Sequence, residues 1–314
     1  MRVLTLGETM GVAATAVGHP LRTTTRLRLG TAGAESTVAI GLSRLGHVVE
    51  WIGVLGADEI GARVRRDLAA EGVGLGFVRT APEAATGFML RELVTAELTR
   101  VSYYRRDSAG SLLAPGDVAP AFAAGADLLH VTGITPALSD SCAAAVQTAV
   151  EQAGAAGITV SFDVNYRSTL PLSGRAKEVV AQLLPRVDVL FVGHDELWLV
   201  SDEPDPLIAA HELIGRGPSE IVVKRAREPS IAVSAAGESA ECRAWSVQVV
   251  DIVGAGDSFV AGYLAARDER RPLAERLRWA TTCAACTVST AGDWEGLPTR
   301  ADIEQRSAAA VTLR

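Results

Sequence analysis

A chain of 314 residues, 48% hydrophobic and 21% charged, has room for a sizeable core in one large α/β domain, with or without a small appendage. A formal charge of −7 argues against a nucleic-acid partner, since the short basic clusters (Arg63, Arg65, Arg66 and Arg267, Arg270, Arg271) sit among acids or on helical patterns. No apolar run reaches the roughly 18 residues of a membrane span, and four cysteines are too few for a disulfide scaffold, so no membrane partner is expected and a reducing, cytoplasmic location is.

The chain opens on MRVLTLGE, a strand pattern at 3–6 without the apolar core of a leader segment. Further strand patterns lie at 48–54, 127–131, 158–162, 187–192 and 220–224. Ala-rich helical patterns separate them at 34–45, 62–71, 139–153, 174–184 and 208–215. Near-continuous apolar strands alternating with helices predict an α/β fold, a mostly parallel central sheet covered by helices on both faces. Two stretches break this rhythm, at about 11–30 and 86–105. In the second, GFMLRELV and LTRVSYY, separated by Thr95, Ala96 and Glu97, form an antiparallel hairpin pattern. They predict a small β-sheet lid inserted into a single domain spanning 1–314. Such a flap can exclude water from a substrate or make a dimer contact. Cys283 and Cys286 form a CxxC inside the apolar helical run WATTCAACTV and, with no second pair, are expected to be buried small hydrophobes.

The segment richest in chemistry is VDIVGAGDSFVAGYLA, residues 250–265. Apolar residues lead to a Gly-Ala-Gly turn, and a helical pattern starts beside Asp257. Gly254 and Gly256 let the backbone turn tightly and approach a ligand without an intervening Cβ. The free N–H groups at the start of the helix, from Ala255 onward, make an anion site with the helix dipole. Asp257 stands in that first turn, where two readings stay open. It is a base that takes the proton of a hydroxyl attacking a bound triphosphate, or a carboxylate that caps the helix. A dinucleotide fingerprint fails because its third glycine falls on Phe259.

The run Asp251-Ile252-Val253-Gly254-Ala255-Gly256-Asp257 resembles the C-terminal signature of the ribokinase-like (PfkB) carbohydrate kinases, usually written Asp-Thr-x-Gly-Ala-Gly-Asp. An N-terminal counterpart runs from Ala32-Gly33-Ala34-Glu35-Ser36-Thr37-Val38-Ala39 into a helix ending in Arg-Leu-Gly. With both in order, the resemblance covers nearly the whole chain. It implies a ribokinase-like fold, ATP and Mg²⁺ as cofactors, and phosphoryl transfer with Asp257 as base beside the turn of Gly254, Ala255 and Gly256. The runs Gly7-Glu8-Thr9-Met10, Tyr103-Tyr104-Arg105, Asp163-Val164-Asn165-Tyr166-Arg167 and Gly292-Asp293-Trp294-Glu295-Gly296 are similar to the 2-keto-3-deoxygluconate kinase branch. That likeness implies a sugar-acid substrate near Gly33, Thr37, Met89, Tyr103, Arg105, Asn165 and Arg167. Charge chemistry agrees: Arg105 and Arg167 can each offer a carboxylate a charge-assisted, bidentate hydrogen bond, the alternative being that one of them neutralises the phosphates. The alternative for Arg105 is a surface position on the hairpin. Asn165 and Arg167 follow a strand pattern, at the carboxyl end where open α/β sheets bind ligands.

On the nucleotide side the resemblance implies Lys224 and Ala226, together with Gly254 and Gly256. Where the family often continues Gly-x-x-Gly, this chain has Arg225-Ala226-Arg227-Glu228-Pro229. Glu196 matches the acidic end of the family's Asn-x-x-Glu, which organises Mg²⁺ and water. An ordinary helix N-terminal acid is its other reading, and Gly193 stands at the Asn position. A monovalent cation near Asp251 and a homodimer through the lid are further expectations. Three positions depart from the pattern: Thr37 replaces an Asn, Ala32 a Gly, and Met89 a Tyr. All fall on the substrate side, which keeps a neutral sugar or nucleoside as the alternative acceptor. A catalytically silent binding protein is the alternative from another class, and the intact turn at 254–257 speaks against it.

Overall fold

Val189 and Phe191 alternate with Leu190 and Val192 along one strand, and all four are fully buried. A strand apolar on both faces has to be covered on both. The computed structural model describes residues 1–95, 98–226 and 228–312, with side chains to 306. It meets that demand with a nine-stranded sheet between two helical layers.

Strands are numbered in chain order across both sheets. The large sheet holds β1 (Arg2–Leu6), β4 (Val48–Gly56), β5 (Val78–Ala81), β8 (Leu128–Thr132), β9 (Thr159–Asp163), β10 (Val189–Gly193), β11 (Glu220–Lys224), β12 (Ser230–Ser234) and β13 (Ser239–Cys242). Their spatial order is β13-β12-β11-β10-β9-β8-β1-β4-β5, parallel except for the antiparallel β11–β12–β13 edge. One face is covered by α3 (Pro115–Phe122), α4 (Asp140–Ala156), α5 (Ala176–Leu183) and α6 (Pro206–Leu213). The other carries α1 (Ala34–Arg44), α2 (Glu59–Ala70), α7 (Ala255–Asp268), α8 (Leu273–Val288) and α9 (Arg300–Thr312).

Most boundaries follow from local chemistry. The α2 helix starts before the apolar pattern because Asp58 caps it, accepting from the Gly61 N–H at 2.7 Å. Ser139 does the same for α4, which ends on the left-handed Gly157 at φ 68°. The helical pattern at 174–184 is broken into a 3₁₀ turn (Ser173–Arg175), α5, and a second 3₁₀ turn (Leu184–Arg186) that holds Pro185. Cys283 is buried in α8 and Cys286 is half-buried, and burial pushes both thiols up.

The lid is a four-stranded sheet of β2 (Met10–Ala14), β3 (Arg28–Ala32), β6 (Phe88–Leu93) and β7 (Thr99–Tyr104), in the order β3-β2-β6-β7. The predicted hairpin is β6–β7, with Met89 opposite Tyr103. Ala96 and Glu97 of its predicted connection lie outside the described residues. Because β2 and β6 run parallel, the lid is a mixed sheet. Pairing across the sheet puts Met10, Val12, Ala32, Met89 and Leu93 on one face, where they form an apolar layer, and Arg91 shares that face.

The strand order turns at β1, with β4 on one side and β8 on the other. In open α/β sheets this switch creates a crevice beyond the carboxyl ends of the strands. Glu8, Thr132, Asp163, Gly193 and Lys224 all lie at or just after those ends.

Candidate active site

The α7 helix begins where sequence chemistry places it. Gly254 is its N-cap at φ 75°, a left-handed conformation suited to glycine. A Cβ there would lie 1.9 Å from the carbonyl oxygen of Asp293. Asp257 follows in the first turn, its carboxylate accepting from Asn165 Nδ2 at 3.0 Å. Asn165 adopts a positive φ of 40° at the loop after β9, a conformation that asparagine tolerates better than most residues. It thus holds the Asp257 carboxylate in orientation, a contact that sequence reasoning missed when it placed Asn165 at the strand end within reach of substrate or phosphate.

Lys224, the last residue of β11, donates to both carboxylate oxygens of Asp163 at 2.7 Å. Its Nζ would lie 3.6 Å from a Cβ on Gly256, beside the turn and α7 N-terminus. Burial raises the Asp257 carboxyl above the ordinary aspartate value, with Lys224 and Arg167 pulling the other way. A carboxylate so placed is a competent proton acceptor next to a helix N-terminus. Ala226 is exposed in the turn between β11 and β12, and its neighbour Arg227 lies outside the described residues.

Arg167 is exposed at the same sheet end, with a hydrogen bond from Nη1 to the Tyr166 carbonyl at 2.9 Å. Arg105 is placed differently. Its Nε donates to Glu8 at 2.8 Å and its Nη2 lies 2.5 Å from the same oxygen, while Ser108 also donates to that buried carboxylate. Its charge is therefore largely answered within the protein, and neither the free-guanidinium reading nor the surface-hairpin reading describes it. Tyr103 is 41% exposed, with the Arg105 guanidinium 5.6 Å from its ring centroid. Met89 is buried across from Tyr103, in the apolar layer of the lid.

Gly33 caps α1 through its carbonyl, which accepts from the Thr37 N–H at 2.8 Å and the Ser36 hydroxyl at 3.1 Å. The Thr37 hydroxyl is fully buried and has no partner among the described residues. Ala32 packs in the lid layer with Met10, Val12 and Met89. Beside them sits Glu35, fully buried, its Oε1 accepting from the Thr132 and Thr135 hydroxyls at 2.7 and 2.5 Å. Its carboxyl is pushed up to about 7, by burial first and with a contribution from Asp257. A raised carboxyl pKa means stability is full below the unfolded value of 4.5 and is lost as pH rises through about 7. Glu35→Gln should therefore lose less stability than the wild type between pH 5 and pH 8, by about 2 kcal/mol. Urea unfolding of both proteins at the two pH values measures this, and parallel losses would show that Glu35 is ionised throughout.

Two expected ion sites can be tested on the donor sets. Both oxygens of Glu196 are taken, Oε1 by the Tyr166 N–H at 2.7 Å and Oε2 by the Gly193 N–H at 2.8 Å, and Asp163 is held by Lys224. These carboxylates fit Mg²⁺ through water rather than by direct ligation. Asp251 is also taken on both sides: Oδ1 accepts from Arg91 Nη2 at 2.6 Å and the Val253 N–H at 3.3 Å, and Oδ2 from the Gly292 N–H at 3.1 Å. That set does not fit a monovalent cation on the Asp251 carboxylate.

The pfkB family of carbohydrate kinases matches residues 2–300. This chain belongs to that family. The kinase is a phosphotransferase class acting on a sugar hydroxyl. It is 32% identical to a 2-dehydro-3-deoxygluconokinase of Bacillus subtilis, over 95% of this chain and 92% of that one. A 2-dehydro-3-deoxygalactonokinase of Haloferax volcanii is 31% identical over 93% and 92% of the two chains. Among solved structures, a putative ribokinase II of E. coli in complex with ATP and Mg²⁺ superposes with a TM-score of 0.90 at 25% identity, covering 98% of this chain and 99% of the other. The ribokinase-like fold and the family expectation both hold.

Asp163, Glu8, Glu35, Arg91 and Asp293 were quoted within motifs or strand patterns but given no role. Arg91 carried a signal: strand alternation puts it on the face of Met89 and Leu93, where an arginine is out of place without a buried partner.

Proposed function

We propose that this kinase transfers the γ-phosphoryl group of ATP to a hydroxyl of a 2-keto-3-deoxy sugar acid. The observation that carries the reading is Asp257 in the first turn of α7, oriented by Asn165 and flanked by the Lys224–Asp163 pair. The accepting hydroxyl gives its proton to Asp257. The N–H groups of Ala255, Gly256 and Asp257 stabilise the charge on the phosphoryl group in transit. Lys224, paired with Asp163, borders the same turn and, with Ala226, the nucleotide. Glu196, acting through water, would help to hold Mg²⁺, which would supply charge neutralisation at the phosphates.

The lid closes over the acceptor as part of a single domain spanning 1–314, with Met89 and Tyr103 facing the substrate beside Gly33 and Thr37. Arg167 binds the carboxylate, and Arg105 contributes from its pair with Glu8. That pairing also favours a second reading, a neutral acceptor, because it leaves Arg167 as the less compensated guanidinium of the two. Leu29 and Tyr104 are exposed on the lid (52% and 61%), and we assign that surface to a second copy in a homodimer. The free thiols of its four cysteines suit a reducing cytoplasm.

ADP release against ketodeoxy sugar acids, neutral hexoses and nucleosides tests the acceptor. Turnover confined to the acids is expected. In Arg167→Ala, KM for the acid should rise about 10–100-fold, the worth of one charge-assisted contact of roughly 1.5–3 kcal/mol. KM for a neutral analogue should hardly move. Equal effects on both would remove the carboxylate from Arg167.

A further inference from the structure

Arg91 is a lid residue with a buried charge. It lies on β6, is 1% exposed, and its backbone carbonyl accepts from the Thr15 N–H at 3.0 Å. Its guanidinium leaves the lid entirely: Nη2 reaches Asp251 at 2.6 Å and Nη1 reaches Asp293 at 3.1 Å. Those two acids belong to the two segments that shape the Gly254 turn. Asp251 starts the run into it, and its carboxylate holds the Val253 and Gly292 N–H groups. Asp293 lends the carbonyl against which Gly254 is packed.

Two buried carboxylates beside a turn that must receive a triphosphate require a compensating cation. Both oxygens of Asp251 are already occupied by N–H donors from the protein. We infer that Arg91 is the built-in cation of this turn, bracing Asp251 and Asp293 from the lid, so that turnover needs no monovalent cation. Arg91 is then a positioning residue: it fixes the N–H groups that meet the phosphoryl group and ties lid strand β6 to them. The inference rests on reading the turn as the anion site of a kinase.

The test uses the wild type in choline, sodium and potassium chloride at one ionic strength, with Mg²⁺ constant. Turnover, and the Kd of a non-hydrolysable ATP analogue, should be the same in all three salts. A several-fold rise in turnover or affinity in potassium chloride overturns the inference. Arg91→Ala should lose about 10²-fold in kcat, on the scale of removing one preorganised donor, and should regain part of it with millimolar guanidinium or potassium. Arg91→Lys should fall between, since a point charge cannot span both carboxylates as the planar fork does. A folded Ala variant as fast as the wild type in choline also overturns it. Should that variant fail to fold, the wild-type salt series decides. Should no sugar be turned over in any salt, the kinase reading fails, while the affinity of the ATP analogue in the three salts still judges Arg91.

Discussion

Replacing Asp257 by Asn lowers kcat by about 10²–10⁴-fold, the usual worth of a positioned general base, and leaves the fold intact. The amide is isosteric, and its oxygen can still accept from Asn165 Nδ2, which lies 3.0 Å from Oδ1 in the wild type. What it cannot do is take a proton. The pH profile gives a second, independent signature. Burial raises the Asp257 carboxyl above its ordinary 3.8. The base works only when deprotonated, so kcat/KM of the wild type falls as pH drops through this raised value. Its acid limb therefore lies above pH 3.8. In Asp257→Asn the limb attributable to this group disappears. Single-turnover ADP release with ATP and a sugar acid, followed across pH, measures both effects. Near-normal turnover would remove Asp257 from the role of base; the helix-cap reading does not replace it, because Gly254 is the N-cap and the Asp257 carboxylate accepts from Asn165.

Gly254→Ala is expected to cost roughly 2–5 kcal/mol of stability, from left-handed strain and from overpacking together. The new Cβ would meet the Asp293 carbonyl oxygen at 1.9 Å, and that atom is backbone, not the yielding end of a side chain. The turn must shift, and the N–H groups of α7 shift with it. Displacing such groups by about 1 Å costs on the order of 10²-fold in rate. Gly256→Ala is the informative contrast. Its Cβ would find only Lys224 Nζ, at an ordinary 3.6 Å, so stability should hardly change. A methyl group beside the anion site should instead raise KM for ATP. Urea unfolding and steady-state kinetics of the two variants separate the backbone role from the ligand role. Equal stability losses would mean that the turn is shaped by something other than the contact with Asp293.

The active end of the molecule was legible in the sequence to different depths. Asp257 and Gly254 were readable because a tight turn followed by a helix start is a local event, set by residues adjacent in the chain. Asp163 and Lys224 end strands 61 residues apart. That strand ends gather at one crevice was foreseeable, but their pairing was not. Arg105 shows the limit most clearly. A guanidinium beside two tyrosines looks free in the sequence, yet Glu8, 97 residues away, claims it.

The sequence by itself determined the layering, through strands apolar on both faces, the hairpin of the lid, and the Gly-Ala-Gly turn with its adjacent carboxylate. These rest on periodicity and on backbone conformations that only some residues tolerate, and both act over a few neighbours. Tertiary structure alone decided which charges are spent and which remain available. Arg91 is consumed by Asp251 and Asp293, Arg105 by Glu8, and Lys224 by Asp163, while Arg167 stays open to solvent. A buried charge must find its opposite wherever the chain brings one within about 3 Å, since leaving it alone in the interior costs several kcal/mol. That partner is fixed by how distant segments pack, and no local pattern records it.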